Sequence, residues 1–292
     1  TKSFKIHRGI LFDTVNRTYL NNQGLTSALS FITKNILHKK FAIIGMDACL
    51  MAMFEIFYQI KDYADYSVSS EEVELAQGWN YTPFLHSLSQ ASISTEQLAQ
   101  QIVKTFEDLY KDKTNFFTQS AVNLTQLDFL KQNIDNFVQS VHACKQIDRT
   151  RIERAILKAR NMCLQFSTAC YVDLHSFYEE LNKQLLSLEF ELTHFTPNTT
   201  YPQNLPRTLI TTRTEANNNL LNSECYKNLK QSISTGMQII NQIVVANVTS
   251  NYLSSAKGIS IYFPQRSIDA SYFKTRFANE SLWVSFLQGS IK

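Results

Sequence analysis

One uninterrupted apolar run, FAIIGM at residues 41–46, constrains the fold more than any other feature of the chain. Runs of this kind are typical of a strand that is buried on both faces, as in a parallel sheet covered by helices. Asp47, Ala48 and Cys49 follow at once, and residues 50–58 then place apolar side chains at helical spacing. Residues 23–38 show the same helical spacing before the run. A helix, a strand, a turn and a second helix in succession indicate an α/β sheet.

The rest of the chain predicts one mixed domain over residues 1–292. Strands are expected at residues 8–13, 66–69 and 258–264, and helices at residues 218–247 and 272–287. Residues from about 94 to 188 carry four apolar stripes at helical spacing, which predicts a helical subdomain inserted in the α/β domain. Residues 193–215 are rich in Pro, Asn and Thr and predict a long loop with a short strand at 209–212.

Composition excludes several classes of protein. The formal charge of +3, from 28 Lys and Arg against 25 Asp and Glu, is too balanced to favour nucleic acid as a partner. No segment approaches the roughly 20 consecutive apolar residues that a membrane-spanning helix needs. The five cysteines show no CxxC or Cys/His metal spacing. Cys144, Cys163 and Cys170 fall on apolar helical faces, where we expect buried thiols.

The turn at residues 47–49 is the expected place for chemistry. In open parallel sheets, active sites lie at the carboxyl ends of the strands. A cysteine just before a helix N-terminus is also placed where the helix dipole favours the thiolate, which is the nucleophilic form. Cys49 is therefore a candidate nucleophile. The alternative interpretation is a buried thiol at a strand–helix junction.

Several motifs together resemble the clostripain-like cysteine peptidases. The stretch GMDACLMAMFE at residues 45–55 is similar to the segment that carries the nucleophile in that family. The resemblance continues through further short segments, namely RGILFD at 8–13, YADY at 63–66, SSEE at 69–72, GWNY at 78–81, YVDL at 171–174 and GISIYFP at 258–264. It therefore spans almost the whole chain. It implies a caspase-like fold, with a mostly parallel sheet flanked by helices and a helical insertion.

The resemblance also implies a cysteine endopeptidase that cleaves peptide or protein substrates after Arg or Lys. Cys49 takes the position of the family's nucleophile. Asp47 matches the acidic residue of the pocket that receives the basic side chain, and a carboxylate pairs strongly with a guanidinium. The alternative role of Asp47 is to cap the helix predicted to start near Cys49.

Three further residues are candidates for the substrate pocket. Glu71 and Glu72 could add negative charge at its rim, or lie in a solvated loop. Trp79 could pack against the pocket or the substrate, and a loop aromatic is also typical of core or rim packing.

The general base is not evident, although a cysteine peptidase needs a histidine for proton transfer. The family's histidine lies upstream of the cysteine in a His-Gly motif, and none of the histidines here precedes Gly. They are His7, His38, His86, His142, His175 and His194. His7 lies in the right region and is a candidate for the base, although it is followed by Arg8 and not by Gly.

Two explanations compete for the absence of this motif. Family members can be cut into a light and a heavy chain, so a chain that begins at Thr1 resembles a heavy chain or a truncated product, with its histidine and first sheet strands on a preceding segment. Alternatively, the protein is an inactive caspase-fold protein that binds a peptide or partner. The resemblance further implies autoprocessing, a light chain of the same precursor as a partner, a secreted or cell-envelope location, and calcium as a weakly indicated cofactor, although no EF-hand pattern is present.

Overall fold

The computed structural model describes residues 10–13, 15–90, 92–193 and 219–290. Its strands are β1 (Ile10–Asp13), β2 (Thr18–Leu20), β3 (Phe41–Gly45), β4 (Ala64–Ser69), β5 (Thr118–Asn123), β6 (Tyr171–Asp173), β7 (Val244–Thr249) and β8 (Ser260–Tyr262). Its α-helices are α1 (Asn22–Phe31), α2 (Phe54–Ile60), α3 (Tyr81–Gln90), α4 (Thr95–Tyr110), α5 (Leu127–Met162), α6 (Leu174–Thr193), α7 (Glu224–Ile243), α8 (Arg276–Glu280) and α9 (Trp283–Ser290). His7, His194 and the strand predicted at 209–212 lie outside the described residues.

The central sheet has the strand order β3-β4-β5-β7 and is flanked by helices, which confirms the mixed α/β fold. The pairing differs from the mostly parallel arrangement that the sequence predicts. Among the described strands of this sheet only β3 and β4 run parallel, whereas β4–β5 and β5–β7 are antiparallel. One helix, α2, connects β3 to β4. Two helices, α3 and α4, connect β4 to β5, and because these two strands are antiparallel the chain re-enters the sheet at the end where β4 leaves it.

Strand β3 is less buried than its apolar sequence predicts. Ala42 and Gly45 are exposed, and none of the five residues of β3 is fully buried. The reason is its place at the end of the strand order, where the described part of the chain pairs with it on one side only.

The helical region expected at about 94–188 contains α4, α5 and α6, but β5 interrupts it. Strand β5 has the sequence TQSAVN, whose polar residues gave no strand signal. Five of its six residues are nevertheless buried, because β5 lies between β4 and β7.

Two apolar clusters cover the two faces of the sheet. Adjacent residues of a strand point to opposite faces, and on β5 Val122 belongs to the larger cluster and Ala121 to the smaller one. The larger cluster is built mainly from α2, α5, α6, α7 and α9, and the smaller mainly from α4. No helix among the described residues combines the length and the apolar character needed to cross a membrane.

Candidate active site

The turn after β3 carries Asp47 and Cys49 and does not lead directly into a helix. Leu50 has a φ of 59°, in the left-handed region that interrupts a right-handed helix. The Leu50 N–H donates to the Glu72 carbonyl (3.1 Å) and the Ala52 N–H to the Ser70 carbonyl (2.8 Å), so this segment pairs with the loop after β4. Helix α2 begins only at Phe54. The predicted helix start near Cys49 is therefore wrong, and the helix dipole does not act on this thiol.

Cys49 is exposed, which overturns the alternative of a buried junction thiol. Its Sγ lies 3.9 Å from the Glu74 carbonyl oxygen, to which the thiol donates a weak hydrogen bond. Cys144 and Cys163 are buried as expected, and burial raises the pKa of the Cys163 thiol to about 12. Cys170 is only partly buried. Cys49 is thus exposed to solvent, whereas the other four cysteines are buried or partly buried.

Asp47 is exposed and does not cap a helix. Its Oδ2 accepts hydrogen bonds from the Trp79 backbone N–H (3.0 Å) and the Tyr81 hydroxyl (2.9 Å). Gly78 has a φ of 61°, and a Cβ built there would lie 2.6 Å from the same oxygen. Glycine is therefore required where this loop passes the carboxylate. The capping interpretation of Asp47 is wrong, and the GWNY motif instead forms a cradle around it.

Trp79 fixes this loop against the end of β3. Its side chain is buried, and a Cβ on Gly45 would lie 2.8 Å from the indole ring. Its Nε1 donates to Glu74 Oε1 at 3.3 Å. The ring thus packs beneath the site, and its backbone N–H serves Asp47.

Glu71 and Glu72 are buried and do not lie in a solvated loop or at a rim. Glu72 accepts hydrogen bonds from the Val73 and Ser167 backbone amides, the latter at 3.0 Å. Glu71 Oε2 accepts from the Gly258 amide at 2.9 Å. Both carboxyl groups therefore tie the loop after β4 to distant segments, because each finds backbone N–H donors inside the fold.

Glu71 also faces Asp173, and the two buried carboxyl groups share a hydrogen bond. Such a bond between two acids requires a proton. Burial and the Asp173 charge raise the pKa of Glu71 well above its usual range. Burial also raises the pKa of Asp173, to about 6, although the Lys257 and Ser176 amides oppose the shift. We therefore assign the shared proton to Glu71.

Strand β5 supports the same loop through its polar side chains. Thr118 Oγ1 accepts from the Glu71 and Glu72 amides at 3.0 and 3.1 Å and lies 2.9 Å from Ser70 Oγ. Ser120 Oγ donates to the Gly258 carbonyl at 2.8 Å. The hydroxyl groups that made this segment look unlike a strand in the sequence thus form hydrogen bonds that support the site.

Glu74 is a site residue that sequence reasoning missed. It lies in the loop between the Cys49 turn and the Asp47 cradle, and contacts both through its carbonyl and its side chain. Burial raises its pKa to about 8, and the charge of Asp47 adds to that effect, while the Trp79 hydrogen bond opposes it. In the sequence, the only sign that Glu74 belongs to the site was its position as a third acid between Glu72 and the GW motif.

A cleft of roughly 400 Å³ opens beside Cys49. Asp47 does not line it, so the cleft and the Asp47 cradle are separate features that both adjoin Cys49. The cleft contains the buried carboxyl group of Glu55, whose Oε1 accepts from the Tyr262 amide and the Tyr272 hydroxyl, both at 3.1 Å. Its walls are mainly apolar and include Leu20, Leu25, Leu50, Met51, Met53, Ile56, Tyr171, Tyr262 and Tyr272.

The histidines in the described ranges neither line this cleft nor hydrogen-bond to Cys49. His38 precedes β3 and therefore lies at the opposite end of that strand from Cys49. His86, His142 and His175 lie on α3, α5 and α6. Within the same ranges no group of three or more His, Cys, Asp or Glu side chains could hold a metal ion. Calcium therefore stays a prediction from the family resemblance, and no step is assigned to it.

Comparison with known proteins identifies the family of the chain. The sequence model of the clostripain family matches residues 1–289. No curated protein sequence matches the chain. Several solved structures share the fold at low sequence identity, 14–16% for the three that follow. At this identity they show the fold alone.

A Bacteroides fragilis cysteine protease is 15% identical, with a TM-score of 0.54, over 97% of this chain and 100% of that one. A clostripain from Bacteroides thetaiotaomicron, solved with the peptide inhibitor BTN-VLTK-AOMK, is 14% identical, with a TM-score of 0.56, over 97% and 99%. An inactive zymogen C11 protease from Parabacteroides distasonis is 16% identical, with a TM-score of 0.52, over 90% and 63%. The chain belongs to the clostripain family of cysteine peptidases.

Proposed function

We propose that the protein is a cysteine endopeptidase that cleaves after arginine or lysine, with Cys49 as its nucleophile. The observation that carries the proposal is the exposed Asp47 carboxylate, two residues from the exposed Cys49 thiol and held by Trp79 and Tyr81. An oriented carboxylate beside a nucleophile favours a cationic side chain next to the scissile bond. The inhibitor bound to the Bacteroides thetaiotaomicron clostripain, whose peptide VLTK ends in lysine, supports the same preference.

The chemistry follows from the thiol. The Cys49 thiolate attacks the scissile carbonyl carbon, and backbone N–H groups of the turn stabilise the oxyanion. The C–N bond then breaks, and the leaving amine takes a proton from an imidazolium, which leaves a thioester on Cys49. A water molecule, deprotonated by the same imidazole, attacks the thioester and releases the acid and the free thiol.

We propose that the imidazole comes from outside the described residues, either from His7 or from a light chain of the same precursor. None of the described histidines contacts Cys49, which supports this assignment. A zymogen among the structural neighbours is consistent with processing of a precursor. The cleft beside Cys49 would then accommodate the apolar part of the peptide that flanks the scissile bond.

The test is hydrolysis of fluorogenic peptides that end in Arg, Lys or a neutral residue, with the full-length protein. We expect cleavage after Arg and Lys, and its loss in Cys49→Ala. Cys225→Ala is the matched control, because Cys225 is another free cysteine of the chain that does not line the cleft. Equal hydrolysis by the wild type and Cys49→Ala would refute the assignment of the nucleophile. Peptide binding without any hydrolysis would instead support a non-catalytic binding protein.

A further inference from the structure

We propose that Glu74 is a second determinant of basic specificity, which binds the cationic side chain of the substrate together with Asp47 and releases a proton as that side chain enters. This inference rests on the proposed function and extends it, because it predicts that the preference for a positive charge depends on pH.

The position of Glu74 is set by three contacts. Its carbonyl oxygen accepts the weak hydrogen bond from Cys49 Sγ (3.9 Å), and its Oε1 accepts from Trp79 Nε1 (3.3 Å). The backbone N–H of the same Trp79 donates to Asp47 Oδ2 (3.0 Å). One short loop therefore holds both carboxyl groups next to the candidate nucleophile.

The second carboxyl oxygen of Glu74 lacks a partner. Oε2 is buried and makes no hydrogen bond with any of the described residues. An ionised carboxylate with a buried, unsatisfied oxygen is unfavourable, so the group is expected either to stay protonated or to pair with a cation. A guanidinium offers several N–H donors in a planar fork, which suits two neighbouring carboxylates.

Within the described part of the chain, the groups that interact with Glu74 do not supply this cation. Asp47 approaches from the end of β3, Tyr81 from α3 and Tyr110 from α4, and the latter two interact electrostatically with both acids. The Tyr110 hydroxyl donates to the Gly78 carbonyl at 2.6 Å. Burial raises the pKa of both tyrosines above 10, so neither titrates near neutral pH. Asp47 is the charged group that faces Glu74, and it is negative.

The protonation of Glu74 determines the sign of the pH effect. Burial and the Asp47 charge raise its pKa to about 8, so in the free enzyme the group is mainly neutral at pH 7. A bound cation favours the ionised form and lowers that pKa. By linkage, binding of the cation expels a proton and becomes tighter as the pH rises, until Glu74 is already ionised. The preference for Arg should therefore increase up to about pH 8 and then level off.

The experiment compares two peptides that differ only in Arg against citrulline before the scissile bond. The ratio of their kcat/KM values is measured from pH 6 to pH 9.5 with the full-length enzyme. Titration of Cys49 and of the general base affects both peptides equally and cancels in the ratio. We expect the ratio to rise about tenfold between pH 6.5 and pH 8.5, since each unit of pKa shift corresponds to a factor of ten.

The matched variants are Glu74→Gln and Glu107→Gln. In Glu74→Gln the ratio should be lower above pH 8 and independent of pH, while cleavage of the citrulline peptide persists and shows that the variant is folded. Glu107 lies on the surface of α4 beside Lys104, so its variant should keep the wild-type profile. A rise with pH that survives in Glu74→Gln, or a flat wild-type profile with a preference for Arg, would overturn the inference. No preference for Arg at any pH would instead overturn the proposed function.

A second measurement does not depend on the folding of Glu74→Gln. Benzamidine, a planar cation, is titrated into the Cys49→Ala protein at pH 7 by calorimetry in two buffers of different ionisation enthalpy. We expect release of a large part of one proton per bound benzamidine. Binding without proton release would contradict the inference.

Discussion

Asp47 organises the site through its hydrogen bonds, and we propose that it also recognises the substrate. One oxygen accepts hydrogen bonds from the Trp79 amide and the Tyr81 hydroxyl, and the residue remains exposed. An asparagine could still accept both bonds through its amide oxygen. Charge and geometry can therefore be separated at this position by one substitution.

Asp47→Asn should reduce kcat/KM for an Arg peptide by about 10- to 150-fold, because a hydrogen bond to a charged group contributes about 1.5–3 kcal/mol. Cleavage of the citrulline peptide should change little, since the loop keeps its contacts. Asp128→Asn is the control, because Asp128 pairs with Lys61 at the end of α2, away from the Cys49 turn. Equal losses for both peptides would show that Asp47 acts only on the geometry of the site.

At the scale of elements, the site depends on the loop between β4 and α3. Its Ser70 and Glu72 carbonyls accept from the Cys49 turn, Glu71 and Glu72 bind amides of distant segments, and Thr118 of β5 accepts two of its N–H groups. The loop is thus a scaffold on which the turn after β3 is built. Its stability is linked to pH through the shared proton of Glu71 and Asp173.

The contribution of Glu71 to the free energy of unfolding should decrease as the pH rises from about 5 upward. In this window the folded state holds a proton on Glu71 that the unfolded chain, with an ordinary carboxyl pKa near 4.5, has lost. The stability contributed by that proton is present below the unfolded pKa and is lost as the pH rises, by at most about 1.4 kcal/mol per pH unit.

Glu71→Gln should flatten this dependence, because glutamine can donate to Asp173 without titrating. Denaturant unfolding of both proteins at pH 5, 6, 7 and 8 measures the difference, with the surface variant Glu107→Gln as the control. A pH slope in Glu71→Gln equal to that of the wild type would contradict the shared proton.

At the scale of the whole molecule, the two apolar clusters hold the sheet between layers of helices. Helix α5 contributes many residues to the larger cluster, among them Phe137, whose ring packs against those of Phe177, Tyr178 and Phe286. Phe129, on the same helix, is exposed. The pair offers a direct comparison between buried and exposed aromatic residues.

Phe137→Ala should lower the free energy of unfolding by about 3–5 kcal/mol, the usual cost of removing a fully buried aromatic side chain. Phe129→Ala should change it little, since that ring is 67% exposed, and helix propensity changes equally in both variants. Denaturant unfolding followed by circular dichroism measures both. Similar effects in the two variants would show that the larger cluster does not stabilise the fold as described.

Local sequence was sufficient for the features whose signal lies within a few residues. The apolar run of β3, the β-rich segment of β8 and the stripes of α4, α5 and α6 were all predicted, and the motif at residues 45–55 indicated the family and the position of Cys49. These predictions succeeded because periodicity and short motifs are properties of neighbouring residues.

Tertiary structure alone decided how the site is held. The left-handed backbone at Leu50 delays α2, and β5 is buried despite its polar sequence. Glu71 becomes a buried acid and Glu74 a partly buried one, and both have raised pKa values. Each of these outcomes depends on partners far away in the chain, as Glu71 depends on Gly258 and Asp173. Burial and electrostatics are properties of packing between distant segments. The sequence could therefore identify Asp47, Glu71 and Glu72 as candidate acids, but neither the place of Glu74 in the site nor the protonation and partners of these groups.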